Sequence, residues 1–144
     1  DHSPELHLIP RAIDAALGRD TFQIFGEDYE TPDGTCLRDY IHVMDLAAGH
    51  VRALERSQPG ARVFNLGTGT GTSVLELIES FRRASGREIP AVIVDRRPGD
   101  ASASYADVSL AEKELGWKAI RTIDDACVDS WNWQSSNPHG YETN

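Results

Sequence analysis

The stretch Asn65-Leu66-Gly67-Thr68-Gly69-Thr70-Gly71-Thr72 is the first place where residue types and spacing suggest chemistry. Closely spaced glycines between a strand and a helix are how backbone amides reach a pyrophosphate. A dinucleotide fingerprint needs a third glycine where Thr72 stands, and an acidic ribose partner about 20 residues on, at the end of the next strand. Asp95 ends such a strand, 24 residues past Gly71, so spacing alone does not dismiss the motif. With the third glycine missing, a tight strand-to-helix turn is the reading adopted, and no cofactor site is expected here.

The remaining reactive types are sparse. Cys36 and Cys127 form no CxxC and no Cys/His cluster, so neither a disulfide framework nor a zinc site is indicated, and a reducing, cytoplasmic setting fits. His42 and His50 have no carboxylate or cysteine at ligand spacing; they read as structural or surface groups, and no metal is expected. The balance of 14 basic against 23 acidic side chains gives a net charge of −9. That charge repels nucleic acid and anionic membrane, so any anionic ligand must meet a local basic pocket. No apolar run approaches the roughly 20 residues that span a bilayer, and no targeting segment opens the chain. With 144 residues, 40% hydrophobic, the chain can bury one modest core, a single domain or a piece of one. Its opening at Asp1, directly in an amphipathic segment, reads as that of a fragment.

Elements must position these groups. Leu8, Ile9, Ile13, Ala16 and Leu17 recur at helical spacing and predict a helix over 8–18. Thr21 to Phe25 reads as a strand, Glu27 to Thr35 as a polar loop, and Val43 to Leu54 as a helix with its apolar face at Val43, Leu46, Ala47, Val51 and Leu54. Asp45 falls in that helix's first turn, where the macrodipole favours negative charge. Arg62 to Leu66 predicts a strand. Ser73 with Glu76 forms a capping box for a helix to about Ser85, closed by Gly86. Pro90 to Val94 predicts a β-branched strand and Asp95 to Tyr105 a charged loop. Ser109 is expected to cap a short helix ending at Gly116, and Thr122 to start the last helix, which Pro138 and Gly140 end before a polar tail. The order is α/β with few strands for its length, a lid rather than a full sheet.

Three stretches carry a resemblance: Phe25-Gly26-Glu27-Asp28-Tyr29-Glu30-Thr31-Pro32-Asp33-Gly34-Thr35-Cys36-Leu37-Arg38-Asp39-Tyr40-Ile41-His42-Val43, then Asn65-Leu66-Gly67-Thr68-Gly69, then Arg96-Arg97-Pro98-Gly99-Asp100. Together they resemble UDP-glucose 4-epimerases of the extended short-chain dehydrogenase/reductase family. The resemblance continues through Glu114-Leu115-Gly116-Trp117 and Trp131-Asn132-Trp133-Gln134 and covers nearly the whole chain. It implies that residues 1–144 are the C-terminal, sugar-nucleotide-binding portion of a Rossmann-type enzyme. The NAD site and a Tyr-x-x-x-Lys pair would lie in an N-terminal half that this chain lacks. No Tyr-x-x-x-Lys occurs in the sequence. Transient NAD-dependent oxidation at C4 of the hexose would therefore be beyond this chain alone, and the fragment by itself should be inactive.

Site residues follow from the same resemblance. Arg38 and Arg97 match the family's pyrophosphate arginines; two guanidinium forks suit two adjacent phosphates. Asp100 matches the ribose-binding carboxylate, which can accept from two vicinal hydroxyls. Phe25 matches the aromatic beside uracil, with the backbone near Gln23 and Phe25 reading the base edge. Tyr40 and Val74 correspond to further pocket-lining positions, Leu8 to a backbone contact near the sugar and phosphates, and His7 to a position where many relatives have Asn. Ser104 matches the position that gates the sugar's C2 substituent; a small residue there implies room for UDP-N-acetylhexosamines besides UDP-glucose and UDP-galactose. Arg96 reads as the solvated neighbour of Arg97, and Trp117, Trp131 and Trp133 as core.

The resemblance also implies a cytoplasmic homodimer as the full-length form. Two other readings stand beside it. One is a related nucleotide-sugar dehydratase or decarboxylase, against which the long match from Gly26 to Val43 weighs. The other is a stand-alone UDP-sugar-binding module, against which the opening in mid-motif weighs.

Overall fold

The structure, a computed structural model, describes residues 7–138 and 140; the opening at Asp1 and the polar tail past Gly140 lie outside them. Ten elements follow in chain order: α1 (Leu8–Ala16), β1 (Phe22–Phe25), β2 (Leu37–Arg38), α2 (Val43–Glu55), β3 (Thr72–Ser73), α3 (Val74–Ser85), β4 (Ala91–Val94), β5 (Ala103–Ser104), α4 (Ser109–Leu115) and α5 (Ile123–Ser136). β1 and β4 pair in parallel, Phe22 opposite Ala91 through Phe25 opposite Val94. A second small sheet has β2 at its centre, antiparallel to β3 and parallel to β5, with Arg38 opposite Thr72 on one side and Ser104 on the other.

The main core forms where α1, α3 and α5 close over one face of β1. α3 brings Val74, Leu77, Ile78 and Phe81 at i, i+3, i+4, i+7, and all four are buried. Ser73 accepts from the Glu76 amide and the Glu76 carboxylate accepts from the Ser73 amide, the expected capping box. α5 starts the same way, Thr122 pairing reciprocally with Asp125. Along β1, Phe22 and Ile24 point into the core while Gln23 and Phe25 face away from it. A satellite core of Ala111, Leu115 and Trp117 sits under α4, packed by Ile41, Phe64 and Leu66.

The region around α2 departs from expectation. The apolar stripe Val43, Met44, Val51 and Leu54 is exposed, and the buried residues of this helix are Asp45 and Gly49. Asp45, 2% exposed, is an anchor rather than a solvated partner of the helix dipole. Its carboxylate accepts from the Ile120 and Arg121 amides at 2.9 and 2.8 Å and from Arg121 Nη1 at 2.5 Å. Its carbonyl accepts from Trp117 Nε1 at 3.1 Å. His42 caps α2: its Nδ1 accepts from the Met44 amide, so the Nε2 proton is left for Asp129 at 3.1 Å.

Arg62–Leu66 forms no strand. Phe64 and Leu66 pack inward while Val63 is 83% exposed, the alternation a strand would show. Among the described residues no backbone ladder pairs with this segment, and a strand exists only by pairing. Three smaller corrections follow. The Ser109 amide donates to Asp107 Oδ1 at 3.0 Å, and Ser109 is the first residue of α4 rather than its cap. Arg96 is clamped rather than solvated, its Nε 2.5 Å from Asp28 and its guanidinium 4.0 Å from the Tyr29 ring centre. Trp117 is buried and Trp131 meets Phe81 edge-on at 6.1 Å, but Trp133 is 41% exposed and is not core. Among the described residues no helix is long and apolar enough to cross a membrane.

Candidate functional site

β1 and the turn before β5 meet at a line of charged groups that begins at Gln23. On the outward face of β1, Gln23 Oε1 accepts from Arg11 Nη2 at 3.3 Å, and the Arg11 guanidinium lies 5.9 Å from the Phe25 ring centre. The Arg97 guanidinium lies 4.5 Å from the same ring. Arg97 Nε donates to Asp100 Oδ2 at 3.0 Å, across a turn closed by the Asp100 amide on the Arg97 carbonyl. The other carboxylate oxygen, Oδ1, is 3.6 Å from Arg38 Nη2. Arg38 is fixed further by donating from Nη1 to the carbonyls of Leu37 and Ala101, at 2.7 and 2.9 Å.

Gln23, Phe25, Arg38, Arg97 and Asp100 thus form one continuous constellation, although they come from three separate segments. Ser104 joins it by register, opposite Arg38 in the β2–β5 pair. Both residues line a polar cleft of about 430 Å³ that also takes in Asn65 and Tyr105. Arg38 and Arg97 share the Asp100 carboxylate and Arg11 lies beside the same Phe25 ring, so three guanidiniums gather along this line in a chain of net charge −9, a local concentration of cations of the kind an anionic ligand requires. Arg11 is the member that sequence reasoning missed. The contact that marks it is made across the α1–β1 connection and leaves no local motif.

The side chains of three further expected site residues pack into or against the main core. Val74 is 5% exposed and sits in the main core. Leu8, at the start of α1, packs against the same core. Tyr40 packs there too and lines a separate cleft with Thr68, Thr70 and Arg121. Burial first, then the neighbouring Cys36, push the Tyr40 phenol above its ordinary pKa against the opposing pull of Arg38, so it stays protonated at neutral pH. Cys36 and Cys127 are free and buried, and burial pushes the Cys127 thiol up to about 12, which leaves it inert. Among the described residues no group of three or more His, Cys, Asp or Glu could hold a metal ion.

The glycine-rich loop serves a carboxylate of this chain. Asp39 accepts from the Thr68 amide at 2.9 Å and hydroxyl at 2.6 Å, from the Gly69 amide at 3.1 Å and from the Ala106 amide at 3.2 Å. With Thr68 and Gly69 committed in this way, and no strand leading into it, this loop does not fit the pyrophosphate cradle that NAD needs. Gly67 makes the close approach possible: a Cβ there would meet Asp39 Oδ2 at 2.5 Å and the Ala106 Cβ at 2.8 Å. Gly67→Ala is expected to lower stability by ~1–3 kcal/mol through this overlap, read as a lower urea midpoint; an unchanged midpoint would show that the loop can shift freely.

Comparison with known proteins supplies a context for this geometry. Residues 1–67 match the model of the NAD dependent epimerase/dehydratase family. The chain is 51% identical over 140 residues to the UDP-glucose 4-epimerase of Bacillus subtilis, across 95% of this chain and 41% of that protein. It is 50% identical to the human UDP-glucose 4-epimerase, across 95% and 40%. The solved structure of the UDP-glucose 4-epimerase of Bifidobacterium longum in complex with NAD+ and UDP is similar at a TM-score of 0.88 and 53% identity, across 94% of this chain and 41% of that one. The chain therefore spans about two fifths of the length of the relatives it matches. Over residues 1–67 this chain is similar to the NAD dependent epimerase/dehydratase family, and about half of its residues are identical to those of UDP-glucose 4-epimerases across nearly its whole length.

Proposed function

We propose that residues 1–144 are the sugar-nucleotide-binding domain of a UDP-glucose 4-epimerase, an isomerase that interconverts UDP-glucose and UDP-galactose. The observation that carries the reading is the sharing of Asp100 by Arg38 and Arg97 beside the Phe25 ring. In the proposed complex the two guanidiniums take the two phosphates and Asp100 accepts from the ribose hydroxyls. The base lies along Phe25, with the β1 backbone at Gln23 and Phe25 reading its edge, and the hexose extends toward Ser104. Such a set binds and orients the substrate by charge-assisted hydrogen bonds. Oxidation at C4 is assigned to NAD held outside residues 1–144, where the proton-removing Tyr and Lys must also lie; no step of it falls to the residues described here.

Two features support a partner domain within the same protein. The Val43, Met44, Val51 and Leu54 stripe is uncovered, and Arg62–Leu66 has a strand's alternation without a strand's neighbour. A helix and an extended segment lacking a sheet suit docking onto a Rossmann sheet, and the relatives are more than twice as long as this chain. A cytoplasmic homodimer is the proposed full-length form. The test is turnover: full-length protein supplied with NAD is expected to interconvert UDP-glucose and UDP-galactose, and residues 1–144 alone to do neither. A full-length protein that converts neither sugar would overturn the assignment.

Ser104 sets the expected substrate range. It is exposed, and its small side chain leaves the polar cleft open at the sugar end. The full-length enzyme is expected to epimerise UDP-N-acetylhexosamines as well. Ser104→Tyr is expected to lower their kcat/KM about tenfold or more while leaving UDP-galactose turnover within a few-fold, since bulk rejects a larger substituent more than a smaller one. Equal loss on both substrates would remove Ser104 from the gate.

A further inference from the structure

We propose that Arg97 is a latch that makes admission of the nucleoside depend on the phosphates it carries, an inference that rests on the nucleotide-site reading above. In the structure Arg97 covers both groups assigned to the nucleoside. Its guanidinium lies 4.5 Å from the centre of the Phe25 ring, where a base would stack. Its Nε holds Asp100 Oδ2 at 3.0 Å, on the carboxylate that ribose hydroxyls would claim.

Arg38 and Arg97 differ in how firmly they are held. Arg38 is tied to two backbone carbonyls as well as to Asp100, and its side chain is 25% exposed. Among the described residues Arg97 is held by Asp100 and by the face of the Phe25 ring, and its side chain is 50% exposed. It lies within the Arg97–Asp100 turn, whose Gly99 stands at φ 86°, so its side chain can rotate without disturbing a regular element. One rotation of Arg97 uncovers Phe25, frees the second oxygen of Asp100 and leaves the guanidinium in need of a new anion. A nucleoside diphosphate supplies that anion. A nucleoside does not, and must compete with Arg97 for both contacts.

The latch assigns opposite signs to one substitution on two ligands. On the full chain, with folding verified by circular dichroism, UDP is titrated by calorimetry and uridine by amide chemical-shift changes. Arg97→Ala is expected to weaken UDP at least tenfold, through loss of a phosphate contact. The same substitution is expected to tighten uridine by roughly threefold to tenfold, the worth of an exposed cation–π contact and an exposed ion pair together. Arg97→Lys retains the cation but not the flat guanidinium, and should bring uridine back toward the wild-type affinity. Weaker UDP binding with uridine unchanged or weakened would overturn the latch and leave the nucleotide site standing. A folded wild-type protein that binds neither ligand would overturn both.

Discussion

Asp39→Ala is expected to destabilise the protein by about 2–4 kcal/mol, because it orphans four donors at once, the Thr68 amide and hydroxyl and the amides of Gly69 and Ala106. These donors come from two segments that both bond this carboxylate. Losing it should loosen the floor of the Ser104 cleft as well as lower the urea midpoint. Asp39→Asn, which keeps one acceptor oxygen, should recover part of the loss. A midpoint within experimental error of the parent would show that the loop is held by something other than Asp39.

The same carboxylate gives a pH dependence of definite sign. Burial raises the Asp39 pKa, but the Thr68 hydroxyl together with the amides of Thr68, Ala106 and Gly69 outweighs burial and holds it below the ordinary 3.8. Asp45 is lowered in the same way by the Arg121 and Ile120 amides and the Arg121 side chain, and Asp33 by Ser73 and Thr35, in each case against the opposing effect of burial. A folded-state pKa below the unfolded one means stability that is fully present above about pH 4 and drains away as pH falls through the folded values. Acid unfolding should therefore set in below pH 4 and be shallower in Asp39→Ala.

Arg38→Ala is the substitution expected to cost most in binding. Arg38 is pre-positioned by two carbonyls and shares Asp100 with Arg97, so its guanidinium needs no rearrangement to receive a phosphate. Removing such a charge-assisted contact costs ~2–5 kcal/mol, roughly a 30-fold or greater rise in the Kd for UDP. Arg38→Lys should recover little, since a lysine cannot satisfy two carbonyls and a phosphate from one planar fork. A UDP affinity that survives Arg38→Ala would place the pyrophosphate elsewhere.

Much of the fold was legible because its signals are local. The Ser73–Glu76 box, the Leu77, Ile78 and Phe81 periodicity and the β-branched run before Val94 each specify their element from neighbouring residues alone. β2, β3 and β5 were not legible: two residues are too few to show a period, and they exist only because distant segments lie beside them. Arg62–Leu66 failed in the opposite sense, with a strand's pattern but no neighbour to pair with. Asp45 looked like an ordinary first-turn acid, and nothing near it in sequence announces the amides of Ile120 and Arg121.

The candidate site divides along the same line. Arg38, Arg97, Asp100, Gln23 and Phe25 were singled out through a family resemblance, and the structure brings their side chains into one chain of contacts. Val74 was singled out in the same way, and its side chain starts the buried stripe of α3. Arg11 enters only through its contacts with Gln23 and Phe25, which no pattern in the sequence encodes.

The central claim is that this chain carries a sugar-nucleotide site built on Arg38, Arg97 and Asp100. Calorimetric titration of residues 1–144 with UDP-galactose, after circular dichroism has established that they are folded, tests it most directly. Saturable binding that competes with UDP and is lost in Arg38→Ala is the predicted result. A folded chain that gives no heat of binding, or that binds equally well without Arg38, would contradict it.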